Sequence, residues 1–408
     1  MSNYTGLNTK EILEKLVRFR STSYNENDIA QWCVEYLRKN DRSPEIENYD
    51  PGKFLEDYDE GKTKNIYLDL GEGDEALLLY SHLDVVNADE ELFEPKERDG
   101  RIYGRGTTDM KTSLAAQLYV AANYNFDKRV IFHFIADEET SGTGARVAVD
   151  KLKNKDLERL DCLLMEPTDN FGFIERESKG YAFCRVKGEF EEIWNLTKEL
   201  KQIEISGSDE KLGENLITPT KIVPIDKPPE MDFSEIKGED NHASRPEGGT
   251  NSIYKLIEKV KEVEFAYNPD NSRNTIPART LYLEGEPSNQ FCTLYIDVRT
   301  LPGYHSKIIS KVKSLAENLE LQIDDIGSPY ETNPNSRLVN ACLRASPEAD
   351  LKGSKGASDA GYYSEVADTV VGGFGPGKVG VMHSEDEHVE VREIDRSVKI
   401  IKKVIDYY

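Results

Sequence analysis

The chain has 408 residues, more than one ordinary domain of roughly 100 to 200 residues needs, and therefore favours two domains. Apolar residues make up 38% and charged residues 31% of it, which is typical of a globular protein rather than of a disordered one. A formal net charge of −24 repels phosphate backbones and anionic membrane surfaces. We therefore expect no nucleic acid and no membrane among its partners.

The cysteines and the N-terminus predict the compartment. Five widely scattered cysteines, with no CxxC pair, indicate a reducing environment. The first 20 residues contain no apolar run of signal-peptide length, and no window approaches ~18 uninterrupted apolar residues. We expect a cytoplasmic protein.

The first 175 residues alternate helix-like and strand-like segments. Amphipathic or Ala-rich patterns predict helices over Asn8–Phe19, Asp28–Lys39 and Lys111–Tyr124. Short, uniformly apolar runs predict buried strands of a largely parallel sheet. These strands are Asn65–Leu70, Ala76–Tyr80, Val130–Ile135 and Cys162–Met165.

Near residue 180 a second series of strands and helices begins, and after Tyr330 the first pattern resumes. The second series is predicted as strand Tyr181–Val186, helix Asn251–Val263, strand Thr293–Arg299, helix Ser306–Asn318 and strand Leu321–Ile326. The resumed pattern is predicted as helix Ser336–Ala345, apolar run Thr369–Phe374 and helix Ile394–Tyr407.

The predicted fold class is α/β, with a mostly parallel sheet and helices on both faces formed by residues 1–178 and 330–408. Residues 179–329 form an inserted, smaller α+β domain. Within it, residues from about 189 to 238 are atypical, because a helix-like start is followed by a proline-rich, acidic remainder. The sequence offers no physical explanation of this segment.

Metal-capable side chains follow the ends of three predicted strands. His82 follows Ala76–Tyr80, Glu139 follows Val130–Ile135, and Glu166 follows Cys162–Met165 directly. In open parallel sheets, ligands bind just beyond the carboxyl ends of the strands. The sequence therefore predicts that these groups meet in one crevice.

His82 has two readings. It could be a buried histidine at a strand end, or it could be a metal ligand. The carboxylate of Asp84, two residues later, suits the second reading, because an acid that accepts the other imidazole N–H fixes the tautomer of a metal-bound histidine.

Four further residues extend the predicted site, and for three of them a structural interpretation stays open. Asp109 is either a helix cap or a carboxylate that bridges two metal ions. Glu138 and Glu139 are either surface charges or a pair in which one binds metal and the other activates water. His383 offers a second imidazole, and the resulting nitrogen and oxygen donors suit zinc or cobalt better than calcium or magnesium.

The sequence motifs around these residues together resemble those of the family that includes acetylornithine deacetylase, succinyl-diaminopimelate desuccinylase, aminoacylase, carboxypeptidase G and related di- and tripeptidases. The resemblance covers most of the chain outside residues 189–238. It is carried by Ser81–Val86, Asp99–Gly106 with Asp109–Lys111, Asp137–Glu139, Glu166–Thr168, and His383 with Glu387.

The resemblance implies a di-metal catalytic domain with two Zn²⁺ ions per subunit, with Co²⁺ or Mn²⁺ as alternatives. His82 and Glu166 match the ligands of one ion, and Glu139 and His383 match those of the other. Asp109 matches the bridging carboxylate.

The resemblance also assigns roles in catalysis and substrate binding. Glu138 matches the general base, Asp84 the residue that orients His82, and His242 a lid residue that reaches the partner's site across a homodimer. The inserted domain then serves as lid and dimerisation domain. Substrate-binding positions are matched by Asn274, Arg299, Gly356 and Ser358.

The substrate implied is an N-acyl amino acid, cleaved as by acetylornithine deacetylase or succinyl-diaminopimelate desuccinylase. Glu166, where the peptidases often have Asp, favours this branch. A carboxypeptidase or dipeptidase with the same machinery is the alternative, and an inactive metal-binding protein is a third reading. Asn87 and Thr112 depart from the family pattern near the site, which leaves the substrate open.

Overall fold

The computed structural model describes residues 4–50, 63–202, 208–209, 213–214, 216–224, 291–354 and 358–408. The predicted helix Asn251–Val263 and the predicted site residues His242, Asn274 and Gly356 lie outside the described residues.

The α-helices of the described residues include every helix predicted there, within a few positions at each end, and two that were not predicted, the fourth and the eighth in chain order. They are α1 Thr9–Val17, α2 Asn27–Lys39, α3 Lys111–Asn123, α4 Thr143–Leu152, α5 Phe190–Gln202, α6 His305–Leu315, α7 Arg337–Ala345, α8 Ala360–Tyr363 and α9 Val391–Tyr407.

The strands of the described residues include every predicted strand. They are β1 Glu45–Asn48, β2 Lys64–Leu70, β3 Glu75–His82, β4 Lys96–Arg98, β5 Arg101–Tyr103, β6 Arg129–Ile135, β7 Arg159–Leu164, β8 Phe173–Ser178, β9 Gly180–Glu189, β10 Ser208–Asp209, β11 Gly213–Glu214, β12 Leu216–Pro224, β13 Phe291–Thr300, β14 Glu320–Gly327, β15 Tyr330–Glu331, β16 Asp350–Ser354, β17 Thr369–Val371 and β18 His388–Glu390.

The described residues fall into two compact units. One unit contains those within 1–177, 330–353 and 358–408, and the other those within 178–329 and 354–357.

The first unit is built on a six-stranded sheet of order β1-β2-β6-β3-β7-β17. Strands β6, β3, β7 and β17 are parallel to one another, whereas β1 and β2 are joined by antiparallel pairings. The mostly parallel α/β fold is thus confirmed. Strand β3 lies between β6 and β7, so their carboxyl ends share one edge of the sheet.

Helices cover both faces of this sheet. Consecutive strand residues point to opposite faces. The Ser81 hydroxyl accepts a hydrogen bond of 2.5 Å from Gln117 of α3. The ring of Tyr80 instead lies 5.5 Å from that of Tyr363 of α8. Helices α3 and α8 therefore lie on opposite faces of β3.

Helix α1 illustrates how local sequence sets a boundary. The Asn8 side chain accepts a 2.9 Å hydrogen bond from the Glu11 backbone N–H, and the Glu11 carboxylate accepts one of 2.8 Å from the Asn8 N–H. This reciprocal capping box satisfies two N–H groups that have no partner within the helix. The helix ends at Val17, two residues short of its predicted end at Phe19.

The second unit contains an antiparallel sheet of order β12-β13-β9-β14. Helices α5 and α6 pack on it through apolar side chains, among them Ile193, Leu196, Leu200, Ile308 and Val312. Helix α5 and strand β12 both belong to the segment of residues 189–238, which the sequence left unexplained. They supply part of the core and one strand of this unit.

None of the helices that the structure describes has both the length and the apolar character that crossing a membrane requires.

Candidate active site

The candidate site lies at the carboxyl ends of three neighbouring parallel strands. His82 is the last residue of β3, Glu139 follows β6, and Glu166 follows β7. Because β3 pairs with β6 on one side and β7 on the other, these three residues come from adjacent strand ends. The predicted crevice is therefore formed by the central strands of the sheet.

Asp109 lies between two histidines. One carboxylate oxygen, Oδ1, is 3.1 Å from Nε2 of His82, and the other, Oδ2, is 3.1 Å from Nε2 of His383. The same His383 nitrogen is 3.2 Å from Oε1 of Glu139. Each oxygen of Asp109 thus faces a different imidazole, an arrangement suited to a carboxylate shared by two metal ions.

The donor atoms form two sets of three. The first set contains His82, Asp109 and Glu166, and the second set contains Asp109, Glu139 and His383. Within each set the donor atoms lie within 4.8 Å of one another. The five residues that the sequence singled out as ligands are brought together, and Asp109 belongs to both sets.

The ring orientation of His82 leaves its outer nitrogen available to a metal. Nδ1 of His82 is 2.9 Å from the backbone carbonyl oxygen of Asp84, which can only accept a hydrogen bond. Nδ1 therefore carries a proton, so Nε2, which faces Asp109, is the nitrogen that becomes free for a metal ion when the ring is singly protonated. The Asp84 carboxylate is farther away, with Oδ1 3.5 Å from Nδ1.

The Asp84 carboxylate contacts the loop that follows β6. It accepts hydrogen bonds from the backbone N–H groups of Glu138, at 3.1 Å, and Glu139, at 3.0 Å. The Ser23 hydroxyl adds a third donor at 2.7 Å. The sequence predicted that Asp84 orients His82, and in the structure its backbone carbonyl lies nearest to that ring while its carboxylate fixes the Glu138–Glu139 backbone.

Burial sets the charge balance of three glutamates. Burial raises the pKa of Glu138 and of Glu166 well above the usual value, with repulsion from neighbouring carboxylates adding to the effect and His82 opposing it. Burial likewise raises the pKa of Glu139, and the negative charge of Asp109 adds to that shift. Carboxylates crowded in this way favour a nearby positive charge.

The imidazoles supply some of that positive charge. Burial disfavours ionisation of Asp109, but hydrogen bonds from His383 and His82 hold its pKa below the usual range. The hydrogen bonds to Asp109 and Glu139 raise the pKa of His383 to about 10. Burial would lower the pKa of His82, but its acidic neighbours, Asp109 first, raise it well above the usual value.

These residues fit divalent metal ions by three criteria. Each set combines one imidazole nitrogen with two carboxylates, a donor chemistry typical of zinc and its transition-metal relatives. The two sets together contain three carboxylates, those of Asp109, Glu139 and Glu166, against two imidazoles. Finally, Oε1 of Glu166 is buried and has no hydrogen-bond partner among the described residues. A buried carboxylate oxygen without a partner is costly unless a cation approaches it.

Glu138 differs from its neighbour Glu139 because it belongs to neither donor set of the described residues. Its backbone is held by Asp84, and its carboxyl is close enough to His82 and Glu166 to interact with their charges. Glu138 thus lies beside the donors, at a position from which a carboxylate can exchange protons with a reacting group.

Two predicted substrate residues lie among the described ones. Arg299 lies on β13 of the second unit, with its guanidinium carbon 5.6 Å from the ring centroid of Tyr181 and 5.5 Å from that of Phe183. Ser358 lies in the first unit, immediately before Asp359, and its hydroxyl accepts a 3.4 Å hydrogen bond from the Ala360 N–H.

Asp359 is a site neighbour that the sequence did not single out. It is buried, and it accepts a 2.5 Å hydrogen bond from the Tyr80 hydroxyl. Burial raises its pKa well above the usual value, and the charges of His82 and Asp84 also act on it. Its position directly after Ser358, a predicted substrate-binding residue, was the available signal.

The profile described as Peptidase family M20/M25/M40 matches residues 78–407, which is most of the chain. The chain belongs to this family. The match contains all five donor residues. The protein is accordingly a hydrolase that acts on amide or peptide bonds, as the sequence predicted.

Curated relatives are similar along most of the chain. An acetylornithine deacetylase of Photorhabdus laumondii is 27% identical over 383 residues, which cover 84% of this chain and 83% of the relative. A succinyl-diaminopimelate desuccinylase of Burkholderia multivorans is 25% identical over 343 residues, covering 77% and 76%.

The fold is also found in solved structures. An M20 family metallo-carboxypeptidase from Sulfolobus solfataricus superposes with a TM-score of 0.64, covering 98% of this chain and 99% of that one, at 15% identity. At this identity the likeness establishes the fold alone, so it does not decide the substrate.

Proposed function

We propose that this hydrolase removes the acyl group from an N-acyl amino acid, with two metal ions and with Glu138 as general base. The observation that carries the proposal is the position of Asp109, whose two carboxylate oxygens each lie 3.1 Å from a different histidine. A hydrolase with one metal ion needs no such shared carboxylate.

The ions are assigned by donor set, with zinc as the expected metal and cobalt or manganese as alternatives. His82 and Glu166 hold one ion, Glu139 and His383 hold the other, and Asp109 is shared. When bound, the ions supply acidification of water and polarisation of the scissile carbonyl group.

Glu138 then accepts a proton from the attacking water and returns it to the departing amine. Burial raises the pKa of its carboxyl, and a carboxyl pKa raised toward the operating pH lets one group both accept and return a proton. Asp84 fixes the backbone of Glu138, so the carboxyl stays beside the donor sets.

The names of the curated relatives favour acetyl and succinyl groups as the acyl part of the substrate. The alternative is a carboxypeptidase or dipeptidase, because the same machinery cleaves peptide bonds. Glu166 stands where the peptidases often have aspartate, and it therefore favours the deacylase function.

We further propose that residues 179–329 act as lid and dimerisation domain, and that His242 serves the site of the partner in a homodimer. In this proposal the substrate carboxylate is held by Arg299, and Asn274, Gly356 and Ser358 complete the substrate pocket. Sedimentation velocity tests the dimer, and a monomer at micromolar concentration would remove the role proposed for His242.

The substrate assay measures amine release by purified protein loaded with Zn²⁺ or Co²⁺. N-acetyl amino acids, N-succinyl amino acids and dipeptides are compared at equal concentration. Two variants serve as controls, Glu138→Ala at the base and Glu385→Ala at an exposed glutamate of the His383 loop.

Preference for an acylated amino acid, lost in Glu138→Ala and kept in Glu385→Ala, supports the proposal. Cleavage of dipeptides alone moves the enzyme to the peptidase alternative. Activity that survives in Glu138→Ala contradicts the assignment of the base.

A further inference from the structure

Glu387 is a buried acid that none of the roles above uses. Its side chain is 0% exposed. Its Oε1 accepts hydrogen bonds from the backbone N–H groups of Thr108, at 3.0 Å, and Asp109, at 3.1 Å. Glu387 therefore holds the backbone of the carboxylate that both donor sets share.

Arg105 is the ionic partner of Glu387 and is itself only 4% exposed. Its guanidinium bonds to Oε2 of Glu387. The same group donates to two backbone carbonyls, those of His383 at 3.1 Å and Ser384 at 3.4 Å. One buried guanidinium thus connects Glu387 to the backbone of a metal-ligand histidine.

His383 needs such support more than the other ligands do. Its side chain is 43% exposed, and its backbone has a left-handed φ of 61°. A non-glycine residue adopts this conformation at an energetic cost and keeps it only where neighbouring contacts impose it. The Arg105 bond to the His383 carbonyl is one of these contacts.

We infer that Arg105 and Glu387 are positioning residues that hold Asp109 and His383 in the geometry of the second donor set. The inference rests on the proposed function, because it assumes that this set binds a metal ion. Arg105 and Glu387 are 282 positions apart, so the pair joins the Asp109 loop to the His383 loop across the fold.

The inference predicts a selective effect. His82 and Glu166 come from strand ends, where pairing within the sheet fixes the backbone. Only Asp109 connects the first set to the pair, whereas the second set depends on it through both Asp109 and His383. A substitution in the pair should therefore weaken binding of the second ion much more than binding of the first.

The test is a zinc titration of the metal-free full-length protein against a competing chelator, which measures both dissociation constants without substrate. Arg105→Lys keeps a positive charge for Glu387 but loses the fork that reaches the two carbonyls. We expect the second dissociation constant to rise about 10- to 100-fold, as for other residues that orient metal ligands, and the first to change less than about threefold.

A matched control is Arg159→Lys. Arg159 pairs with the buried Asp161 at 3.0 Å, at the opposite end of the sheet, in β7. This variant should leave both dissociation constants unchanged. The double variant Arg105→Met/Glu387→Met adds a second arm, because it removes both charges together and leaves neither buried without a partner. It should weaken the second ion at least as much as Arg105→Lys does.

Each outcome decides between the alternatives. Wild-type binding of two ions in Arg105→Lys overturns the inference but leaves the proposed function standing. Equal weakening of both ions, or the same weakening in Arg159→Lys, shows a general structural role and also overturns it. If wild-type protein itself binds fewer than two ions, the proposed function fails first.

Discussion

The two donor sets share Asp109 but are built differently. His82, in the first set, is 1% exposed and ends a central strand that is paired on both sides. His383, in the second set, is 43% exposed in its side chain and lies in a loop. Sheet hydrogen bonding thus fixes one histidine, whereas a buried ion pair holds the loop of the other.

Because of this difference, we expect equal ligand chemistry to give unequal affinity for the two ions. Both sets offer one imidazole and two carboxylates within 4.8 Å of one another, but His383 is far more exposed than His82. An exposed side chain loses more conformational freedom when an ion binds than a buried one does, which lowers affinity and speeds release. We therefore expect the second ion to leave first.

The largest expected effect separates the two histidines. On addition of a strong chelator, wild-type protein should release its metal in two phases. His383→Ala should lack the fast phase, and His82→Ala should lack the slow one, with turnover at background in both. Stopped-flow measurements with a metal-sensitive dye check this. Loss of the same phase in both variants would show that the sets are not independent.

Glu138→Ala should lower turnover by about 10²- to 10⁴-fold, because it removes the general base. Both ions should remain bound, since Glu138 belongs to neither donor set of the described residues. Metal content of the purified variant and its kcat are the two measurements. A loss of one ion would show that Glu138 is a metal ligand and would contradict the different roles assigned to Glu138 and Glu139.

Asp84→Asn should have an intermediate effect. It removes a charged acceptor from the Glu138 and Glu139 N–H groups but leaves the backbone carbonyl that meets His82. The affinity for the second ion should fall by about 10- to 100-fold, with the first nearly unchanged.

The control for Asp84→Asn is Ser23→Ala, which removes only the hydroxyl donor to Asp84. Its effect on the second ion should be smaller. If Asp84→Asn instead weakens binding of the first ion most, the Asp84 carboxylate acts mainly on His82.

The smallest effect concerns His133, a buried histidine of β6 outside both donor sets. Burial lowers its pKa to about 3, whereas His82 has a raised pKa beside its acids. The unfolded chain, with a histidine pKa of about 6.5, takes up the proton first as the pH falls. The contribution of His133 to stability is thus complete above pH 6.5 and declines toward pH 3.

Between pH 7.5 and 5.5 this decline should amount to about 1.4 kcal/mol of unfolding free energy. His133→Gln, compared with wild type by urea unfolding of the metal-free protein, should lose that part of the pH dependence. Identical pH dependence in the two proteins would mean that folding leaves the pKa of His133 at its unfolded value.

The sequence predicted the architecture well because it is encoded locally. Apolar runs of strand length predicted the central strands, and the acids and the histidine at the ends of those strands predicted the candidate ligands. Parallel strands place these ends at one edge, so neighbouring positions follow from the topology. Helix α1 was predicted for a similar reason, since its amphipathic pattern lies within one short stretch of sequence.

Contacts between distant residues could not be predicted in this way. Arg105 and Glu387 both lie in motifs that the sequence marked, but nothing local pairs residues 282 positions apart. The bond from Tyr80 to Asp359 spans 279 positions. The left-handed backbone of His383 is imposed by such contacts rather than by its own preference.

The central claim is that Asp109 is shared by two ions, one beside each histidine. Anomalous diffraction at the zinc edge, from crystals of the zinc-loaded enzyme, tests it most directly. We expect two anomalous peaks, one between His82 and Asp109 and one between Asp109 and His383. A single peak at full zinc loading, or a second peak away from Asp109, would contradict it.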